Sequence, residues 1–111
     1  MNVLDLLLVA VGAAVGAPVR YVVGSLLDGR GWPLGTFAVN VVGSLLLGVF
    51  SALALGGHPA ALLGTGLCGG LTTYSSFAVQ TVRLGQGAAG YAVATIGASL
   101  AAAYVGFVLV A

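Results

Sequence analysis

The chain has 111 residues, of which 60% are hydrophobic and 5% charged, where a soluble domain carries roughly 25% charged residues. With a mean hydropathy of +1.20, it is excluded from the soluble globular class and reads as an integral membrane protein. A net charge of +1 spread over few basic residues leaves no patch for nucleic acid, and the single cysteine, Cys68, rules out an internal disulfide or a cysteine-rich metal centre.

A membrane-spanning helix takes roughly 20 apolar residues. The first span is expected over residues 3–27, with Asp5 at its start and Arg20 inside it. It begins without a basic leader or a clear cleavage pattern, so it reads as a span and not as a signal peptide. Asp28-Gly29-Arg30-Gly31 is a short polar turn. Trp32 is placed for the membrane interface, and Pro33 suits the first turn of a helix. The second span is expected over residues 34–55 and carries Asn40 and Ser44. Gly56-Gly57-His58-Pro59 connects it to a third span over 60–82. Arg83-Leu84-Gly85-Gln86-Gly87 then leads to a fourth over 88–110, with Tyr91, Thr95, Ser99 and Tyr104. Connectors this short force neighbouring spans to run up and down. The expected fold class is therefore all-α, four transmembrane helices in one domain over 1–111. Gly, Ala and Ser on nearly every face favour close helix contact, some of it between subunits. An oligomer is expected, most simply a two-fold dimer.

The third span contains the least helical stretch of the chain, Gly69-Gly70-Leu71-Thr72-Thr73-Tyr74-Ser75-Ser76-Phe77. Paired glycines and paired threonines are poor helix formers. Irregular backbone at membrane depth persists only where protein or a water-filled cavity surrounds it. A break here frees helix ends that attract ions; alternatively, the small residues only let another helix approach.

The polar residues admit two readings each. Arg20 either snorkels to the headgroups or lines an electropositive vestibule, and Gly16-Ala17-Pro18 before it is a place where the helix opens. Asn40 either ties two helices together or donates its amide N–H to an anion along a path shared with Ser44 and Phe37. Tyr91, Thr95 and Ser99, at i, i+4 and i+8, form one hydroxyl stripe; it is a polar track unless the hydroxyls bond their own i−4 carbonyls. Tyr74 and Phe77 share a face, either as packing or with their electropositive ring edges toward an anion. His58 has no nucleophile beside it in sequence, and no carboxylate pair, phosphate loop or metal-ligand cluster is present, so an enzyme is not expected.

Three segments together resemble the Fluc-type (CrcB) fluoride channels: Gly12-Ala13-Ala14-Val15-Gly16-Ala17-Pro18-Val19-Arg20-Tyr21, Gly35-Thr36-Phe37-Ala38-Val39-Asn40-Val41-Val42-Gly43-Ser44, and the stretch from Gly69 to Phe77. The resemblance covers essentially the whole chain in order, and the third segment is its most specific part. It implies an antiparallel dimer in the cell membrane, with two fluoride pores and a structural sodium ion at the dimer centre. That sodium falls to the backbone carbonyls of Gly69 and Thr72 from both subunits, and carbonyl oxygens suit a hard cation. The implied fluoride path runs past Asn40, Tyr74, Ser76, Phe77, Tyr91, Thr95 and Ser99, with Arg20 in the vestibule. Tyr74 departs from the Phe usual in that family; it keeps the ring edge and adds a hydroxyl donor.

Two other classes are weighed against this. A small four-helix multidrug antiporter needs an ionisable carboxylate in mid-membrane, and this chain has no Glu and places Asp5 at the edge of a span. A non-transporting assembly subunit explains the small-residue faces but not the broken helix together with Asn40 and Arg20. Arg20, Arg30 and Arg83 all lie toward the side of the second and fourth span starts, a one-sided charge bias. Two partnerships follow: a dual-topology homodimer, or a heterodimer with an oppositely biased paralogue.

Overall fold

A computed structural model describes residues 2–29, 31–53 and 56–111. Arg30, counted in the charge bias, and residues 54–55, the end of the expected second span, lie outside the described residues. Those described are helical nearly throughout, and several helices are long and apolar enough to cross a membrane.

Helix α1 is Val3–Leu27, 25 residues, or about 37 Å at 1.5 Å per residue. Its start is fixed by a capping box: Asn2 Oδ1 accepts from the Asp5 N–H at 2.9 Å, and Asp5 Oδ2 accepts from the Asn2 N–H at 3.3 Å. The helix continues through Pro18, so Gly16-Ala17-Pro18 does not open it. Helix α2 is Leu34–Ala52. Pro33 supplies no side-chain cap, and Asp28 caps the helix from outside. Asp28 Oδ1 accepts from the Thr36 N–H at 2.9 Å, and Asp28 Oδ2 accepts from the Thr36 hydroxyl at 2.6 Å.

Helix α3 occupies residues 57–71, and its central part, Ala60–Cys68, is π-helical. Thr72 and Thr73 are extended, with φ/ψ of −80°/159° and −150°/123°. Helix α4, Tyr74–Leu84, follows at once, and a single 3₁₀ turn, Gly85–Gly87, leads to α5, Ala88–Val110. The extended residues are thus the two threonines, whereas Gly69 and Gly70 are helical. Gly57 and Gly85, in the two later connectors, have φ of +57° and +56°, a region that a side chain with a Cβ rarely adopts.

Small residues determine which helices meet. Gly12 and Gly16 on α1 face Gly66 and Gly70 on α3, each pair at the four-residue spacing that lets backbones approach. A Cβ on Gly16 would stand 2.5 Å from the Leu67 carbonyl oxygen, and one on Gly70 would stand 2.8 Å from Ala13 Cα. Helix α5 lies along α2 in the same manner, with Gly48 against the Ala103 backbone and Gly106 against the Leu45 backbone. Polar ties join the bundle ends. His58 Nδ1 lies 2.7 Å from Asp5 Oδ1, linking the start of α3 to the start of α1. Arg83 Nη2 donates to the Gly31 carbonyl at 2.7 Å, linking the two connectors at the opposite end. Large apolar side chains such as Leu6, Val93 and Leu100 remain exposed on the outer faces, as a lipid-facing surface requires.

Candidate functional site

The interruption between α3 and α4 fixes the site, because extended backbone inside a helical bundle must find partners for its N–H and C=O groups. Asn40, on α2, provides them to Thr73 in both directions. Its Oδ1 accepts from the Thr73 N–H at 2.8 Å, and its Nδ2 donates to the Thr73 carbonyl at 3.1 Å. Thr73 is 7% exposed, so these bonds stand in for most of the water it would otherwise meet. The Thr73 hydroxyl then caps α4, accepting from the Ser76 N–H at 3.1 Å. Thr72 turns its own hydroxyl back onto the Cys68 carbonyl at 2.8 Å, which also accepts from the Thr72 N–H.

Among the described residues, no hydrogen bond reaches the carbonyl of Gly69 or of Thr72. These are the two oxygens that the family resemblance implies for sodium. Both residues line a cleft of about 750 Å³, and a Cβ on Gly69 would meet nothing of its own chain. The described residues hold no cluster of His, Cys, Asp or Glu able to bind a metal.

The same cleft brings together Asn40, Tyr74, Phe77, Thr95 and Ser99. Asn40 is both helix tie and potential donor, since its amide has a second N–H with no partner among the described residues. Among the described residues, Tyr91 Oη, Thr95 Oγ1 and Ser99 Oγ are all buried and none makes a well-formed hydrogen bond, although the Tyr91 and Thr95 hydroxyls interact; Tyr91 itself does not line the cleft. Thr72 and Thr81 bond their i−4 carbonyls, at 2.8 Å each; Thr95 and Ser99 do not. A buried hydroxyl left unpaired costs about 1–3 kcal/mol, so three in one file need an explanation. Around them the rings are continuous: Tyr74 to Phe77 at 6.1 Å between centroids, Phe77 to Tyr91 at 5.4 Å, Tyr91 to Trp32 at 5.1 Å and Trp32 to Phe37 at 5.0 Å.

Arg20 and Ser76 are not in this cleft. They line a second cavity of about 510 Å³ with Asp28, Thr36, Ser75 and Gln80. Thr73 lines both cavities, so the peptide clamped by Asn40 is the wall between them. Sequence reading missed Thr73, Asp28 and Trp32. A cap signal was available for Thr73, since a threonine immediately before a helical run favours that role. For Asp28 the only hint was an acid just ahead of a helix start that has no cap of its own. Trp32 is 42% exposed, as an interfacial residue is, but its ring also meets Tyr91 and Phe37, and nothing in the sequence signals those contacts.

Residues 7–107 match the family model described as CrcB-like protein, Camphor Resistance (CrcB). The chain is 49% identical over 110 residues to the fluoride-specific ion channel FluC 2 of Rhodococcus jostii, covering 94% of this chain and 96% of that one. It is 47% identical to fluoride-specific ion channel FluC 1 of Streptomyces avermitilis, with 90% of each chain covered. Against fluoride-specific ion channel FluC 2 of Natronomonas pharaonis it is 46% identical, covering 98% of this chain and 97% of the other.

Proposed function

The chain belongs to the CrcB family, and from that premise we propose that it is a fluoride channel, letting fluoride leave the cell passively and so relieving its toxicity. The observation that carries the reading is the file of buried hydroxyls on α5, Tyr91, Thr95 and Ser99, of which Thr95 and Ser99 line the Asn40 cleft. A small anion holds its water strongly and crosses a bilayer only where protein donors replace that water. Hydroxyls and an amide N–H do this without fixed charge, so the ion is met but not trapped. Ring edges of Tyr74 and Phe77 add weak positive potential along the same wall.

Arg20 serves the approach. In the second cavity its guanidinium raises the local anion concentration beside Ser75, Ser76 and Thr36. The ion then passes the Asn40–Thr73 wall into the hydroxyl file. Four crossings, with α3 and α4 together forming one broken span, put both apolar faces in lipid. An antiparallel pair of chains closes the lateral cleft. The second subunit is another copy of this chain or an oppositely oriented paralogue. At the pair's centre, the Gly69 and Thr72 carbonyls of both chains hold a structural sodium. Their lack of internal partners and the open space over Gly69 support that assignment.

Reconstitution into liposomes tests the function. With potassium balanced by an ionophore, fluoride is expected to leave protein-loaded vesicles much faster than protein-free ones, while chloride stays inside. Equal release of chloride and fluoride rejects the proposal.

A further inference from the structure

We infer that Trp32 is a positioning residue for the fluoride path, holding the Tyr91 ring so that its hydroxyl stays in the file. The inference deepens the channel reading and rests on it. Tyr91 is 0% exposed, and rings contact it from two elements. Phe77, on α4, lies at 5.4 Å with an interplanar angle of 35°. Trp32, from the connector before α2, lies at 5.1 Å and 84°, an edge-to-face contact. Among the described residues the Tyr91 hydroxyl makes no well-formed hydrogen bond; the Thr95 hydroxyl that interacts with it rides on the same helix, so ring packing is what fixes the direction of the ring.

Trp32 is itself held in place. Its other edge-to-face partner is Phe37, one turn into α2, at 5.0 Å and 61°. Its carbonyl accepts from the Leu34 N–H at 2.8 Å. The next residue, Pro33, is fully buried and bridges back to Asp28, whose carboxylate is locked onto Thr36. The connector is therefore braced on both sides of the indole. A residue whose only task is to anchor the chain at the membrane interface needs neither the brace nor two edge-to-face ring contacts. Functional groups held by packed neighbours keep their geometry, and those left unsupported lose it.

Three variants and one spectroscopic signal test this. In liposomes, Trp32→Ala is expected to slow fluoride release on the order of tenfold, while Trp32→Phe, which restores an aromatic edge, keeps at least about half the rate. The Trp32→Ala protein is expected to elute and melt as the parent does. Trp32 is the chain's single tryptophan, so the emission of the unmodified protein reports on this contact directly. Sodium fluoride is expected to shift that emission saturably, sodium chloride to leave it unchanged, and Tyr91→Phe to abolish the shift. If the parent releases fluoride and Trp32→Ala matches it, or Trp32→Phe is as slow as Trp32→Ala, the positioning role is overturned while the channel stands. Should Trp32→Ala fail to fold, the emission decides alone: no response to fluoride, or an equal response to chloride, overturns the role. A parent that releases no fluoride overturns the channel reading, and this inference with it.

Discussion

Replacing Asn40 with alanine removes both bonds to Thr73 and leaves a buried N–H and a buried C=O without partners. Two magnitudes compete. Interhelical hydrogen bonds in membranes average only about 0.6 kcal/mol each, because the inserted but unpacked chain finds substitutes, which gives about 1 kcal/mol for two. Orphaned buried groups cost about 1–3 kcal/mol each, which gives about 2–6 kcal/mol. The second estimate governs here. Thr73 is extended and only 7% exposed, so few alternative partners remain for its groups. Asn40→Ala is therefore expected to lose about 2–6 kcal/mol in equilibrium unfolding in mixed micelles. Asn40→Asp is expected to do no better, since the carboxylate still accepts from the Thr73 N–H but sets an acceptor against the Thr73 carbonyl. A loss below about 1 kcal/mol for Asn40→Ala, or an Asn40→Asp protein as stable as the parent, refutes the clamp.

Two further substitutions separate contacts within the chain from contacts beyond it. Gly16→Ala drives a methyl to 2.5 Å from a backbone oxygen and is expected to destabilise by about 1–3 kcal/mol, whatever the protein-to-lipid ratio. Gly69→Ala meets nothing in its own chain, so any defect is expected to appear only in the dimer and to grow on dilution in lipid; a defect independent of dilution counts against the central sodium site. Arg20→Gln is expected to slow fluoride entry more at 10 mM than at 150 mM salt, because the Debye length falls from about 30 Å to about 8 Å. An unchanged rate with reduced membrane yield assigns Arg20 to snorkelling instead.

Much of this was legible in the sequence because the bilayer is a demanding solvent. Apolar runs bounded by Asp28-Gly29 and by Gly85-Gln86-Gly87 set the bounds of α1 and α5, which are Val3–Leu27 and Ala88–Val110. The stretch from Gly69 to Phe77 was recognisable as irregular from composition, but which residues leave the helix was not. The glycines there are poor helix formers in water, yet Gly70 is helical and lies close against Ala13, and the extended backbone falls instead at the threonines, where Asn40 bonds Thr73. The hydroxyl stripe was visible as a period of four. Whether its members satisfied themselves was not, because Thr72 and Thr95 are the same residue type and behave oppositely. The Asp28 cap and the Trp32 brace depend on a connector folding back on itself, which no local periodicity announces.

The three idle hydroxyls of α5 tie the protein's durability to its use. Along the proposed path, Tyr91, Thr95 and Ser99, which make no well-formed hydrogen bond among the described residues, gain an acceptor only when an ion is present, so occupancy and stability are linked quantities and whatever binds there shifts unfolding by mass action. Selection for a sturdier chain would find an easy route in Thr95→Val, which removes an orphaned polar atom at nearly constant volume. That route also removes a donor from the proposed path. Such positions are where activity and stability oppose each other, and a stabilising substitution at Thr95 that silences transport would mark the stripe as kept for work and not for architecture.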